Sequence, residues 1–408
     1  MTPANMAEHF VPIFGNYIST PAWICLAISV AAAVIALLTR FIPIWKTARV
    51  AKAQDPESDF LSFENAKNVP MVSVIVYTIS TEDILLEYLD KIMNQDYPDY
   101  EVILVNEGGY EVTASLAERL QQLYPERLYV TFIPPESHNL SRRKLAQTVG
   151  MKAAKGEIVL TTSSNCIIPS NSWLSLMMQP FGANSDTDIV LGYSHIEFDN
   201  LHGIGKWYKE FDSTLTACQW IGAAVNHHPY RGDGFNLAFR KRLFFEQKGY
   251  SKTLHLKNGD DDLFINEIAT STNTDVMISR DAILTYDWGE SGNRVHSELK
   301  DRYRFTSRLL PKAPFLKAGA GSLMQWVCVA SAVTGAVIEL PDLLPAAVAL
   351  GIILIFNITE ILIYRKAARA LGSVCLWWSL PIFLLWHPVA NWLSRPTRQR
   401  RRKNFTFD

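Results

Sequence analysis

At 408 residues, 48% of them hydrophobic, the chain exceeds one ordinary soluble domain and is rich in long apolar runs. Its formal net charge of -1 gives no case for a nucleic-acid surface, so nucleic acid is not among the expected partners. The five cysteines (Cys25, Cys166, Cys218, Cys328 and Cys375) show no paired spacing and no Cys-x-x-Cys, so neither a disulfide framework nor a zinc site is indicated.

The stretch from Pro21 to Ile44 holds a nearly unbroken apolar run, interrupted first by Arg40. Its length suits a bilayer crossing of about 20 residues. It has no basic start and no Ala-x-Ala-like cleavage site, which reads as a retained anchor. Arg40, Lys46, Arg49 and Lys52 follow it, so the positive-inside rule puts the rest of the chain in the cytoplasm. After a polar linker the pattern alternates strand and helix. Strands are expected at Met71–Tyr77, Glu101–Val105, Arg127–Phe132 and Glu157–Thr161, with helices near Ile84–Met93, Thr113–Tyr124 and Leu145–Ala154. This is the signature of an α/β domain with a mostly parallel sheet, whose ligands sit at the carboxyl ends of the strands: Tyr77 and Thr78, Asn106 and Glu107, and Thr162 to Cys166.

Further on, Asn258-Gly-Asp-Asp-Asp-Leu-Phe264 places three carboxylates after a glycine and ahead of a helical pattern. Three adjacent acids repel one another unless a cation or acceptor compensates them. An acidic helix start is the plain structural reading; a proton-handling group is the functional one. Adjacent His227 and His228 cannot share one face of a helix or strand, and a polar loop is preferred there to a metal site. The basic-aromatic run from Arg302 to Lys317 fits an interfacial helix on anionic lipid. Two crossings follow, Gly321–Ile338 and Leu343–Tyr364. Leu371–Leu393 carries Pro381 and Pro388, which are expected to break it into pieces too short to span. That predicts a re-entrant or interfacial hairpin and leaves the basic tail from Arg395 to Lys403 in the cytoplasm.

Several blocks together carry a resemblance: Ser73-Val-Ile-Val, Asn94-Gln-Asp-Tyr-Pro98, Glu101 to Glu107, Ser141-Arg-Arg-Lys-Leu-Ala146, Gly150 to Gly156, Gly232-Asp-Gly-Phe-Asn-Leu-Ala-Phe-Arg-Lys241 and Gly259-Asp-Asp-Asp-Leu263. In order and spacing they resemble the membrane-bound family 2 glycosyltransferases, in a lineage associated with Bacteroidetes-type bacteria. The resemblance implies a GT-A-like (nucleotide-diphospho-sugar transferase) domain with flanking N- and C-terminal transmembrane helices. It also implies a nucleotide-sugar donor, most simply a UDP-sugar, and inverting transfer. The expected organisation is an anchor over 1–53 (crossing about 22–44), a linker over 54–69 and a cytoplasmic GT-A domain over 70–300. An interfacial helix over 301–320, two transmembrane helices within 321–364, and the hairpin and tail over 365–408 complete it.

By that resemblance Asp261 is the candidate general base. Asp260 orients it or holds the acceptor, and a neighbouring acid is expected to raise its pKa. Tyr77, Asn106, Glu107, Lys144, Ser163, Asn165, Arg302 and Arg304 are candidate donor-binding residues, and Asp233 and Asp262 candidate acceptor-binding ones. Asn106 and Glu107 read equally well as a post-strand turn, and Arg302 and Arg304 as lipid contacts or surface ion pairs. Arg142 and Arg143 read as a solvated helix face, in contrast to Lys144. Two departures matter. The metal-binding Asp-x-Asp falls at Ser163-Ser164-Asn165, so Mg2+ or Mn2+ is either held weakly, through the diphosphate and Asn165, or absent. The Gln-x-x-Arg-Trp reads Asp301-Arg-Tyr-Arg-Phe305. The expected enzyme is a multi-pass protein of the bacterial inner membrane, in contact with its lipids, that transfers one sugar to a lipid-linked or membrane glycan acceptor. The alternative is a membrane-anchored relative that kept the fold and lost turnover.

Overall fold

The computed structural model describes residues 18–54, 70–78, 82–106, 114–133, 140–198, 201–286, 292–340, 342–374 and 377–393. Glu107, most of the expected linker and the basic tail lie outside the described residues.

The α/β unit is built on β1 (Val72–Thr78), whose seven residues are all buried. A strand buried on both faces needs a continuous apolar, β-branched run, and Val-Ser-Val-Ile-Val supplies it. It pairs in parallel with β2 (Tyr100–Asn106) on one side and β4 (Ile158–Ser163) on the other. β3 (Leu128–Phe132) adds in parallel to β2. The helices α2 (Glu82–Met93), α3 (Ala114–Leu123) and α4 (Arg142–Ala153) make the crossovers between these strands. Beyond β4 the sheet changes sense. β8 (Leu237–Arg240) is antiparallel to β4 and to β6 (Ile189–Leu191), and β9 (Thr274–Val276) completes the order β3-β2-β1-β4-β8-β6-β9. A smaller sheet joins β5 (Cys166–Ile167), β10 (Leu284–Tyr286) and β7 (Ser194–Ile196).

Asn236 ties the two sheets together. Its Nδ2 donates to the carbonyls of Tyr193 (3.0 Å) and Ala282 (2.8 Å), and its Oδ1 accepts from the indole of fully buried Trp173 (3.1 Å) on α5 (Trp173–Ala183). Three further helices belong to this unit and bear on the site: α6 (Gly203–Val225), α8 (Asp262–Ile268), which follows the short α7 (Lys241–Glu246), and α9 (Gly292–Thr306).

Among the described residues, three helices are long and apolar enough to cross a membrane: α1 (Thr20–Ala53), α10 (Lys312–Ile338) and α11 (Leu344–Ala370). α1 contains a π-helical turn, Leu37–Phe41, that includes buried Arg40. Within the apolar unit Arg40 Nη1 donates to Gln325 Oε1 (3.0 Å), and Gln325 Nε2 donates to Glu360 Oε2 (3.2 Å). α1, α10 and α11 are therefore linked by a polar chain as well as by packing, with Arg40 2% and Glu360 0% exposed.

Two expectations are corrected. The run 301–320 is not one helix: α9 ends at Thr306 and α10 starts at Lys312, because Pro311 has no N–H to donate and disfavours helical backbone before it. Pro388 does not break the last segment, since α12 (Leu380–Leu393) holds it in its interior, whereas Pro381 stands in the first turn, where no N–H is needed. At 14 residues it is about 21 Å long, short of a bilayer core of about 30 Å.

Candidate active site

The carboxyl ends of the parallel strands form one edge. In the ladder Tyr77 lies beside Ser163 of β4, and Thr78 beside Asn106 of β2, so three of the expected donor-side residues share neighbouring strand ends. After β4 the Ser164 hydroxyl donates to Thr78 Oγ1 (3.1 Å) and lies 3.4 Å from Asn165 Oδ1, while Ser163 Oγ accepts from the Asn165 N–H (3.4 Å). A divalent cation at this position would meet only neutral oxygens that already bond one another. Hard cations favour charged oxygen ligands, so Ser163, Ser164 and Asn165 do not fit one. No group of three or more His, Cys, Asp or Glu side chains among the described residues is placed to hold a metal either.

The acid triplet sits where β8 and α8 approach. Gly259 adopts φ +95°, and a Cβ there would lie 2.5 Å from Leu263 Cδ1, so the left-handed turn delivering the acids requires glycine. Asp260, Asp261 and Asp262 are 2%, 3% and 1% exposed. Asp261 Oδ1 accepts from the Asp262 N–H (2.8 Å), and Asp262 Oδ1 from the Leu263 N–H (2.8 Å). Such burial is tolerable because guanidinium groups face the acids. Arg302 Nη2 donates to Asp260 Oδ1 (2.8 Å) and to Asp261 Oδ2 (3.0 Å), and Arg143 Nε lies 2.6 Å from Asp260 Oδ2. A third, Arg231, lies over the Tyr303 ring at 3.1 Å from its centroid. Gly234 completes the wall, since a Cβ there would stand 3.0 Å from both Arg143 Nη2 and Asp261 Cβ.

The electrostatics differ from the expectation for Asp261. Burial alone raises its pKa, but Arg302, Arg143 and Arg231 together hold it well below the ordinary carboxylate range. The expected upward shift falls instead on Asp262, pushed to about 7 by burial and by the charge of Asp261. Asp233 is raised by burial and anchors its loop, accepting from the N–H groups of Ser194 (2.7 Å) and Phe235 (3.0 Å).

Two basic residues exchange the parts read from sequence. The fully buried ammonium of Lys144 donates to the carbonyls of Thr253 (2.6 Å), Leu256 (3.2 Å) and Asn258 (2.8 Å), which uses its three protons on the loop leading to the acids. Its pKa is lowered to about 8 by burial. Arg143, expected on a solvated face, joins the acids. Arg304 pairs with Asp301 (3.8 Å), so within Asp301–Phe305 it is Arg302 that reaches the triplet. Sequence reasoning missed Arg231, although it immediately precedes the quoted Gly232-Asp-Gly block. His227 lies in a polar loop, as expected, with Nδ1 3.1 Å from the Ser271 carbonyl.

The mostly parallel α/β domain has a GT-A-like fold. Over 91% of its length the chain superposes on all of the mannosyltransferase PcManGT of Pyrobaculum calidifontis, solved with GDP-Man and Mn2+, at a TM-score of 0.53 and 18% identity, a likeness of fold alone. Residues 73–233 match the family model Glycosyl transferase family 2. Among curated relatives it is 27% identical over 131 residues to the glycosyltransferase GlyG of Streptococcus pneumoniae serotype 4, covering 32% of this chain and 41% of that protein. It is also 23% identical over 195 residues to the poly(ribitol-phosphate) beta-glucosyltransferase of Bacillus spizizenii, covering 47% of this chain and 28% of that protein. The chain thus spans less than half the length of these curated relatives.

Proposed function

We propose that the protein is an inverting glycosyltransferase that moves a sugar from a nucleotide-sugar donor, most simply a UDP-sugar, to a lipid-linked or membrane-embedded acceptor. The observation that carries this reading is the position of Asp261, an ionised carboxylate buried against Gly234 and held by Arg302 beside the strand ends. In the proposed step Asp261 accepts the proton of an acceptor hydroxyl. The acceptor oxygen bonds to the anomeric carbon as the bond from that carbon to the diphosphate oxygen breaks, and the diphosphate leaves with the electron pair. Arginines are suited to the leaving group, because a planar guanidinium binds phosphate oxygens through paired N–H bonds. Arg302 and Arg143 pair with Asp260 and Asp261. Drawing Arg302 toward the diphosphate removes the main charge that depresses Asp261, and makes it a stronger base as the donor arrives.

Charge compensation by arginine in place of a cation predicts that EDTA leaves nucleotide binding within about two-fold. A loss of ten-fold or more, restored by Mn2+ or Mg2+, would return the metal to the site. The activity itself is tested with the purified full chain in detergent, a set of UDP- and GDP-sugars and a bacterial lipid extract. Labelled sugar should enter the lipid phase with stoichiometric release of nucleoside diphosphate. Nucleotide binding without transfer to any lipid would favour a membrane-anchored binding protein.

A further inference from the structure

The apolar unit contains a groove of about 280 Å³ that no part of the proposed chemistry uses. Its floor is Phe41, 1% exposed, in the π-helical turn of α1. One wall is the stripe Leu38, Ile42 and Trp45 on α1, and the other is Thr359 and Ile363 on α11. These two helices run in the same direction, because both are antiparallel to α10. Gly335 packs against Cys25 and Gly321 against Arg40, while Ala332 clusters with Ala349 and Gln325 bonds to Glu360. Nearer the amino-terminal ends, Ala32, Ala33, Ala36, Cys328 and Phe356 fill the space between the helices in one buried cluster. At the π-helical turn the backbone widens: the Thr39 hydroxyl bonds back to the Ile35 carbonyl (2.7 Å), and Arg40 turns inward to Gln325. The groove opens where the packed cluster ends, between two helices that are both tied to Gln325.

The lining is apolar except for Thr359, whose hydroxyl is spent on the Ile355 carbonyl (2.8 Å). A polar guest would therefore lose its hydrogen bonds to water and find none in return. A bilayer core of about 30 Å takes ~20 helical residues. Counted from the start of α11 at Leu344, that length places Thr359 and Ile363 at the inner edge of the core. Lys366 lies just beyond it, exposed and on the same helix face as Thr359 and Ile363 by the i+7 and i+3 spacing. Trp45, at the open end of the α1 stripe, is the residue type that settles at membrane interfaces. A partner's transmembrane helix is too thick for this space, since one turn about 10 Å across displaces roughly 400 Å³.

We infer that this groove is a specific lipid site, which seats one acyl chain of an anionic phospholipid with the headgroup phosphate beside the Lys366 ammonium. The chain supplies dispersion contacts along Phe41, Leu38, Ile42 and Ile363 that no residue of the unit provides. The lysine supplies the charge preference, because an ammonium at the bilayer surface attracts anionic headgroups. A zwitterionic phospholipid fills the same groove without that attraction and is held more weakly. The site goes beyond sugar transfer and does not depend on it.

The test is native mass spectrometry of the full chain in mild detergent, titrated with phosphatidylglycerol or with phosphatidylcholine of the same acyl chains. One phosphatidylglycerol should be retained per chain, bound about five-fold more tightly than phosphatidylcholine, the worth of one lysine at a lipid surface. Thr359→Trp fills the groove and should weaken both lipids ten-fold or more. Lys366→Gln should bring phosphatidylglycerol down to the level of phosphatidylcholine and leave phosphatidylcholine unchanged. Helix content by circular dichroism shows that each variant is folded, and Ile363→Trp replaces Thr359→Trp as the filling variant if the latter is not. The inference is overturned if neither lipid is retained, if the two bind equally to the wild type, or if the folded filling variant binds as the wild type does. It is also overturned if a polyprenyl phosphate at equal concentration displaces the phosphatidylglycerol, since the groove would then belong to an acceptor lipid.

Discussion

Arg302 spans Asp260 and Asp261 through one nitrogen, 2.8 Å and 3.0 Å from their oxygens, and on that fork depends how three adjacent acids stay buried. Removing the guanidinium strands two buried charges, a loss worth about 3–5 kcal/mol. Arg302→Ala should therefore lower the thermal midpoint by several degrees and abolish transfer, with Arg302→Lys between it and the wild type because an ammonium cannot reproduce the fork. A midpoint unchanged in Arg302→Ala would show that the fork does not stabilise the fold. Asp262 permits a pH test. Burial and the charge of Asp261 push its folded pKa up to about 7, above the ordinary carboxylate value of about 4, so the folded state holds the extra proton. The stabilisation from that proton is present below pH 4 and is lost as pH rises through 7. Asp262→Asn removes the cost of ionising a buried acid, so the midpoint of the variant relative to wild type should rise between pH 5 and pH 8. A difference flat across that range would contradict the assignment.

At the scale of elements, Lys144 on α4 is placed to hold the loop 253–258 through three carbonyls. Lys144→Met should then destabilise the fold by about 1.5–3 kcal/mol, the scale for hydrogen bonds to a charged group, while nucleotide affinity changes little. Lost nucleotide affinity with unchanged stability would return Lys144 to the donor site. This exchange of roles between Arg143 and Lys144 could not be read from spacing: neighbours on a helix differ by about 100° in direction, and only the tertiary packing decides which one faces the acids. Strands β1, β2 and β4 were legible because buried parallel strands require unbroken β-branched runs. β5, β6, β7, β9 and β10 have two or three residues each, too few to display any period. α6 was not assigned from sequence, although Phe211, Leu215, Cys218 and Ile221 repeat at helical spacing, because its buried Glu210 and Asp212 blur the apolar stripe. In the apolar unit, Gln325→Leu removes the bridge between Arg40 and Glu360. That change should cost about 1–2 kcal/mol, read as a lower midpoint in detergent.

For the whole molecule, three helices long and apolar enough to span a bilayer suggest membrane association, and the basic residues at the carboxyl ends of α1 and α11 support the proposal that the α/β unit is cytoplasmic. The proposed topology has three crossings, because α12 at 14 residues is too short to cross, and it puts residue 408 in the cytoplasm. A fluorescent-protein fusion after residue 408 should be bright and an alkaline phosphatase fusion inactive, with the reverse pattern contradicting the topology. All of the proposed chemistry converges on one carboxylate. The most direct test compares Asp261→Asn with wild type in the full chain, measuring sugar transfer and nucleoside diphosphate affinity on the same preparation. Loss of a general base predicts transfer reduced by about 10²–10⁴-fold with nucleotide affinity kept within a few-fold. Transfer at the wild-type rate in Asp261→Asn would contradict the account.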